Sequence, residues 1–308
     1  MSTTGDYPLV RHDAQIGVAK ESDHGTETTP QRPLGIITDS GDMPDPEVDW
    51  QEERNIDNQG RQLSGKEAGR NTYDGGSLTV LPVDEYPFEI IFGNDLSSGQ
   101  INVENAPVPR TMTVEAAYYG HDTDADFVRT FAGNAVDTAT IGVDNESQLQ
   151  VDMDFQAQGV TTGSTATSIS DLSAGSFMFH DADSYLSLKG TDYARVEDFE
   201  WELSNNLDPR YYIQPNSPDD PYEMHYGNAG HAITADVTPV DDSLFQDLLG
   251  RDDAGSASIN FVRDGDTLGF EFREVGIESA PYPYPEEGAP TTTVSLIPND
   301  AWVTWSSV

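Results

Sequence analysis

From Val48 onward the chain alternates apolar and polar residues with a period of two. Met112, Val114, Ala116 and Tyr118 interleave with Thr111, Thr113, Glu115 and Ala117. Leu149, Val151, Met153, Phe155 and Ala157 interleave with Gln150, Asp152, Asp154 and Gln156. The same pattern recurs at Phe199, Trp201 and Leu203, at Ala257, Ile259 and Phe261, and at Leu268, Phe270 and Phe272. Such segments predict strands with one face on a core and one in water, as in antiparallel sandwiches and barrels. Turn signals separate them at Asp74-Gly75-Gly76, Asn145-Glu146-Ser147 and Asp264-Gly265.

Two segments change to a helical period. Phe88, Ile91 and Phe92 recur at i, i+3 and i+4, and Leu244, Phe245, Leu248 and Leu249 do likewise. Asp84 and Asp241 are the expected N-caps, each offering a carboxylate to unpaired N–H groups at the positive end of the helix dipole. Pro87 falls in the first turn, where its missing N–H costs little, and Gly93 and Gly250 are the expected left-handed stops.

These elements occur in the same order twice. Val48–Asp57 (VDWQEERNID) is similar to Phe199–Asp208 (FEWELSNNLD), with Trp50 against Trp201. Pro82–Gly93 (PVDEYPFEIIFG) matches Pro239–Gly250 (PVDDSLFQDLLG) without a gap. The two offsets nearly agree (201 − 50 = 151 and 239 − 82 = 157). We read an internal duplication; chance similarity of two β-rich stretches is the competing reading. The expected fold is mainly β, with two tandem sandwich or barrel domains, each carrying one short packed helix. An N-terminal arm at 1–40, domains at 41–160 and 181–308, and a Gly/Ser/Thr-rich linker at 161–180 are the expected divisions. The arm is expected to order only against something else, with a flexible tail as the alternative. Trp50, Trp201, Phe88 and Phe245 are expected in the core, with a subunit interface as the alternative for the two tryptophans.

Composition narrows the function. The 308 residues hold 55 Asp+Glu against 15 Lys+Arg, a formal net charge of −40. Apolar residues at 36%, in regular patterns, argue against disorder as the cause. Molar salt shortens the Debye length to about 3 Å and screens such self-repulsion, so an extreme halophile or a virus infecting one is expected. Binding DNA by phosphate neutralisation is disfavoured; letting DNA slide past without adhering is not. With no cysteine, disulfides and zinc–thiolate sites are excluded. The start, MSTTGDYPLVRHDAQIGVAK, shows no apolar signal-peptide core, and no run approaches the roughly 18 apolar residues of a membrane span.

No motif commits to catalysis. His121-Asp122-Thr123-Asp124-Ala125-Asp126 imitates a calcium loop, but Phe127 and Gly133 stand where an EF-hand needs Gly and Glu, so a solvated acidic turn is favoured. His180-Asp181-Ala182-Asp183 has metal-ligand types without the helical spacing of a zinc site, and His225 and His231 lack partner motifs. No nucleophile elbow, Walker A loop or dinucleotide fingerprint occurs. No catalytic, cofactor-binding or metal-ligating residue is assigned, and no cofactor is expected.

Four short blocks, in order, resemble the tail tube proteins of long-tailed phages and their archaeal relatives. They are Ile16–Thr26 (IGVAKESDHGT), Phe131–Asn134 (FAGN) leading into Gln148–Gly159, Trp201–Asp208 with its Asn205-Asn206 end, and the helix Asp241–Gly250 ending in Leu-Leu-Gly. The resemblance implies a sheet that joins neighbouring sheets around a lumen, six domains per ring, and rings stacked into a DNA conduit. With two domains per chain it implies homotrimeric, pseudo-hexameric rings stacked head-to-tail. It also implies contacts with the tape measure and other tail proteins, DNA only in transit, no membrane, and a place in the virion tail after assembly in the host cytoplasm. The arm 1–40 and the loops near 58–72, 214–226 and 281–290 are the expected stacking contacts. Another ring component of the tail, at the distal end or baseplate, and a halophile's carbohydrate-binding surface sandwich are the alternatives.

Overall fold

The computed structural model describes residues 14–39, 41–53, 65–93, 95–96, 100–102, 110–119, 125–172, 175–183, 186–188, 191–213, 220–239, 241–250, 255–281 and 291–307. Strands β1 (Ala14–Lys20), β2 (Ile36–Asp39), β3 (Asp45–Glu53), β4 (Gly65–Asp74) and β5 (Gly76–Leu81) precede helix α1 (Tyr86–Phe92). Then come β6 (Gln100–Asn102), β7 (Met112–Tyr119), β8 (Ala125–Asp144), β9 (Gln150–Gln156) and β10 (Gly159–Gly163). The second half runs β11 (Leu186–Leu188), β12 (Thr191–Ser204), β13 (Leu207–Arg210), β14 (Glu223–Tyr226) and β15 (Gly230–Pro239), then helix α2 (Ser243–Gly250). It ends with β16 (Ser256–Arg263), β17 (Asp266–Arg273), β18 (Gly276–Ser279), β19 (Thr292–Ile297) and β20 (Asp300–Ser306). The mainly-β expectation holds, and every strand pair is antiparallel.

The centre is an eight-stranded sheet in the order β2-β5-β9-β8-β12-β15-β19-β18. Each half contributes four neighbouring strands, and β8 and β12 join them, pairing Thr138–Asp144 with Ser204–Asp198. Two further sets, β1-β7-β8-β10 and β11-β16-β17-β20-β6, carry the remaining strands of the core. The 20-residue β8 serves both layers of the first half by bending at Gly133, whose φ of 66° places it in the left-handed region. The alternation read from sequence supplies the inner face: Val151, Met153 and Phe155, Phe199, Trp201 and Leu203, and Ile259, Phe261, Phe270 and Phe272 are all buried. One continuous buried cluster runs through both halves.

Helix α1 is buried at every residue and packs across the two halves. Phe88 meets Phe270 edge-on at 5.7 Å between ring centroids, and Phe92 lies 5.7 Å from Trp201. Asp84 accepts the Tyr86 N–H at 3.0 Å as expected, although Glu85 occupies the N-cap position. Gly93, at φ 80°, closes the helix by donating to the Glu89 carbonyl at 2.9 Å. Helix α2 differs: Gly250 belongs to its last turn, and Phe245 and Leu249 are 38% and 62% exposed. Phe245 is therefore not a core residue of this chain.

Trp50 is also outside the core, at 56% exposure, whereas Trp201 is fully buried. The cause is topological. Strands β2 and β3 run beside β5 and β4 as one long hairpin, and the outer part, β3–β4, extends past the central sheet. Trp50 pairs with Ala68 on that extension, while Trp201 pairs with Ile233 inside the sheet, so the two are not equivalent positions. Asp74-Gly75-Gly76, read as a turn, is a kink at Gly75 (φ 80°) between collinear strands. Asp264-Gly265 and Asn145–Ser147 do turn the chain, between β16 and β17 and between β8 and β9.

The segment expected to be an arm supplies β1, which pairs with β7, and β2, which pairs with β5, with Val18 and Leu34 buried. Of the segment expected to link the halves, residues 161–163 belong to strand β10 (Gly159–Gly163), and the following residues are bonded to the first half through Thr167 and Ser170. That contact explains why β7 is buried on both faces against its alternating pattern. Glu115 accepts the Thr167 N–H at 2.7 Å and its hydroxyl at 2.9 Å, while Thr113 accepts the Thr28 N–H at 2.9 Å.

Candidate functional site

The outward face of the central sheet is the largest surface with a consistent chemical character. Across the β8–β12 joint it presents Ser77 and Thr79, Gln150, Asp152 and Asp154, and Thr138, Thr140, Gly142 and Asp144. It continues with Asp198, Glu200, Glu202 and Ser204, Gly230, Ala232, Thr234 and Asp236, and Thr293 and Ser295. These rows contain no Lys, Arg or His. Short hydroxyl side chains alternate with carboxylates, and several bond across strands: Thr138 donates to Asp154 at 2.9 Å, and Thr79 donates to Asp152. Asp144, Asp198 and Asp236 stand side by side in one cross-strand row. Partial burial pushes the Asp198 carboxyl pKa up, and the two neighbouring carboxylates push it further. Like charges facing one another across strands destabilise a sheet. Stability alone does not account for this row.

One described cation borders these rows, the exposed Arg195 opposite Thr238 beyond the Asp198–Asp236 pair; others lie against acids and rings of the other layers. Lys20 pairs with Glu89 and with Asp95, the latter at 2.8 Å, and Arg110 pairs with Asp95 at 2.9 Å. Arg32 sits over Tyr86 and pairs with Asp84, Arg263 sits over Phe177, and Arg273 over Trp302 at 3.7 Å. Burial lowers the Lys20 pKa, but the hydrogen bonds it donates to Asp95 and Glu89, with their negative charge, together outweigh it, and the net shift is upward.

The central sheet has two edges. Among the described residues β2 pairs only with β5, and β18 only with β19. Exposed apolar residues gather at these ends: Ile36 on β2, Ile297 on β19, and Phe245 and Leu249 on α2. The β3–β4 extension adds Val48 and Trp50. Its counterpart β13–β14 lies over the first half. There Asp220 accepts from Tyr73 at 2.6 Å and from Asn71 at 2.9 Å, the Tyr211 hydroxyl donates to the Asn71 carbonyl at 2.7 Å, and the Met224 N–H donates to His24 Nε2 at 3.2 Å. Burial holds the His24 pKa below its ordinary value despite Glu21 and Glu223 nearby, which keeps Nε2 free to accept.

Two of the sequence blocks meet at one buried carboxylate. Glu21 accepts from Gly25 N–H at 2.9 Å, Gly133 N–H at 2.8 Å, Thr111 hydroxyl at 2.7 Å and Thr113 hydroxyl at 2.8 Å. The Ile16–Thr26 and Phe131–Asn134 blocks are thus locked together by Glu21. Asn134 completes the lock by donating to the carbonyls of Met112 and Phe131. Asn205, at the end of the Trp201 strand, is buried and donates to the Val136 carbonyl at 2.9 Å, tying β12 to β8. These polar residues position strands.

The sequence-level metal candidates do not assemble. Among the described residues no group of three or more potential ligands converges. The His180 side chain is exposed, 3.8 Å from Asp181, while Asp181 accepts the Met178 N–H. His225 lies against Glu223 at 2.7 Å, and His231 accepts from Trp201 Nε1 at 3.4 Å, its pKa lowered by burial. The His121–Asp126 acids lie outside the described side chains, as do the loops at 58–64, 214–219 and 282–290. No described helix is long and apolar enough to cross a membrane.

A family model described as phage tail tube protein matches residues 11–300 of the chain. No curated protein matches the sequence. The match spans nearly the whole chain, and the chain belongs to the phage tail tube protein family.

Proposed function

We propose that this member of the tail tube family is the major subunit of a virion tail tube, in which chains close side by side into rings that stack into a DNA conduit. The observation that carries the reading is the eight-stranded sheet, with a predominantly acidic outward face, on which Arg195 opposite Thr238 is the single described cation, and two edges, unpaired among the described residues, of opposite strand direction. The halves contribute β2-β5-β9-β8 and β12-β15-β19-β18, the same arrangement twice, as a tandem duplication produces. The antiparallel β8–β12 joint is then the pattern for a joint between β18 of one copy and β2 of the next. Repeating it closes a cylinder and removes both edges, which otherwise invite aggregation. Six such units per ring, as in the family-like arrangement, correspond to three chains. Rings stack head-to-tail because only a heterologous contact propagates.

The acidic face is assigned to the lumen. Double-stranded DNA carries about one negative charge per 1.7 Å of helix axis, and a wall whose carboxylates far outnumber its one described cation, Arg195, gives its phosphates little to hold. Repulsion keeps the passage non-adhesive and independent of sequence. The chain's role is structural, with the tape measure and other tail proteins as partners. The net charge of −40 suits molar salt, so the host is proposed to be a haloarchaeon. A distal-tail or baseplate ring is the competing reading, and it would form single rings without polymerising. Negative-stain images of the purified protein at high salt, with tail initiators present, are expected to show stacked rings or tubes; compact monomers throughout would contradict the proposal.

A further inference from the structure

Helix α1 fills a site between the two halves, and α2 has no such site within its own chain. We propose that α2 of one copy seats in a groove on the first half of the next copy, beside β2, and that this contact latches the joint between chains. The inference rests on the ring reading above.

The groove is located by the correspondence between halves. Strand β10 pairs Gly159 with Ala132, and β20 pairs Asp300 with Arg273; both residues shift by 141 (300 − 159 and 273 − 132). The left-handed residues that follow their partners Ala132 and Arg273, Gly133 within β8 and Glu274 after β17, keep the same shift. Phe270, which receives Phe88 of α1, therefore corresponds to Arg129. The hairpins and helices shift by 157, as in the gapless block. Trp201, which receives Phe92, pairs with Ile233, and Ile233 corresponds to Gly76. Gly76 stands opposite Met43, because the adjoining Ser77 N–H donates to the Asp42 carbonyl at 2.8 Å.

Arg129 and Met43 do line a common cavity, of about 450 Å³, together with Ile16, Ala116 and Tyr118. In the second half α1 covers the corresponding positions; in the first half, among the described residues, no helix covers them and the cavity stands there, with Arg129 half-buried and Met43 6% exposed in its wall. The helix that matches α1 carries its apolar residues exposed, Phe245 in place of Phe88 and Leu249 in place of Phe92. Transferring the α1 contact sets the Phe245 ring over the Arg129 guanidinium and Leu249 against Met43. Arg129 suits a third ring. Its guanidinium carbon already lies 5.4 Å from the Tyr118 and Phe131 ring centroids, and its Nε is buried without a hydrogen-bond partner among the described residues. Asp42 and Asp45 at the rim oppose the approach of an acidic helix, so the joint requires salt. Helix α2 lies beside β18, at the end of the central sheet opposite to β2, so only another copy can supply it.

The chain has no cysteine, so engineered thiols report without background. Full-length Asp42→Cys and Leu249→Cys chains are mixed at high salt, assembled, and treated with a short bismaleimide. A dimer linking one chain of each kind is expected, with no product from either variant alone. Phe245→Asp is expected to keep the monomer's melting temperature and to abolish rings. Tubes that form without the mixed dimer, or Phe245→Asp rings in normal yield, would overturn the α2 latch and leave the ring reading standing. Wild-type chains that never form rings would overturn both.

Discussion

At the scale of single residues, the few buried polar groups hold the fold together. Glu21 satisfies four donors from three segments that are remote in sequence. Glu21→Ala strands the buried Gly133 N–H and the half-buried Gly25 N–H and is expected to cost about 3 kcal/mol, measured by denaturant unfolding at fixed high salt. Glu21→Gln, which sets an NH2 against donors, is expected to cost less but remain destabilising. Unchanged midpoints for both variants would show that the hub is dispensable. His24 gives a pH test. Its folded pKa is lowered by burial, so the unfolded chain binds the proton more readily; the neutral ring's contribution is full above about 6.5 and is lost as pH falls toward the folded value. The protection of the Met224 amide, its exchange rate taken relative to the base-catalysed rate of an unprotected amide at the same pH, is therefore expected to fall below about pH 6.5, and in His24→Ala to be low and insensitive to pH in that range. A loss of protection with falling pH that persists in His24→Ala would assign the effect to another group.

At the scale of elements, periodicity identified strands β7, β9, β12, β16 and β17 and both helices, because burial on one face imprints itself on sequence. It could not show that β7 is covered on both sides, since its second cover is polar: Glu115 to Thr167, and Thr113 to Glu21 and Thr28. Nor could it place Trp50, whose local pattern is that of Trp201 but whose strand runs beyond the sheet. The same limit applies to the candidate site: the acidic residues were visible, but their gathering on one face depended on strand order and register, which alternation does not specify. The exposed tryptophan is assigned to a contact between copies. Trp50→Ala is expected to change monomer stability by no more than about 0.5 kcal/mol, as for an exposed position, while lowering ring or tube yield. A large drop in monomer stability with normal assembly would return Trp50 to an intramolecular role.

At the scale of the whole molecule, charge and symmetry act together. Self-repulsion at a net charge of −40 is screened only when the Debye length falls from about 10 Å at 0.1 M salt to about 3 Å at 1 M. The melting temperature is therefore expected to climb steeply over that range; a flat profile would remove the halophilic reading. Within one chain, two four-stranded units share a core, and α1 bridges them. Under the ring proposal that arrangement places the chain as two adjoining segments of the wall. The most direct test of the proposal is the symmetry and copy number of an isolated ring by cryo-electron microscopy with particle mass. Three chains per ring, with true threefold and approximate sixfold symmetry and the central sheet facing the lumen, is the expected result. Six chains per ring, with one half of each chain projecting outside the wall, would contradict it.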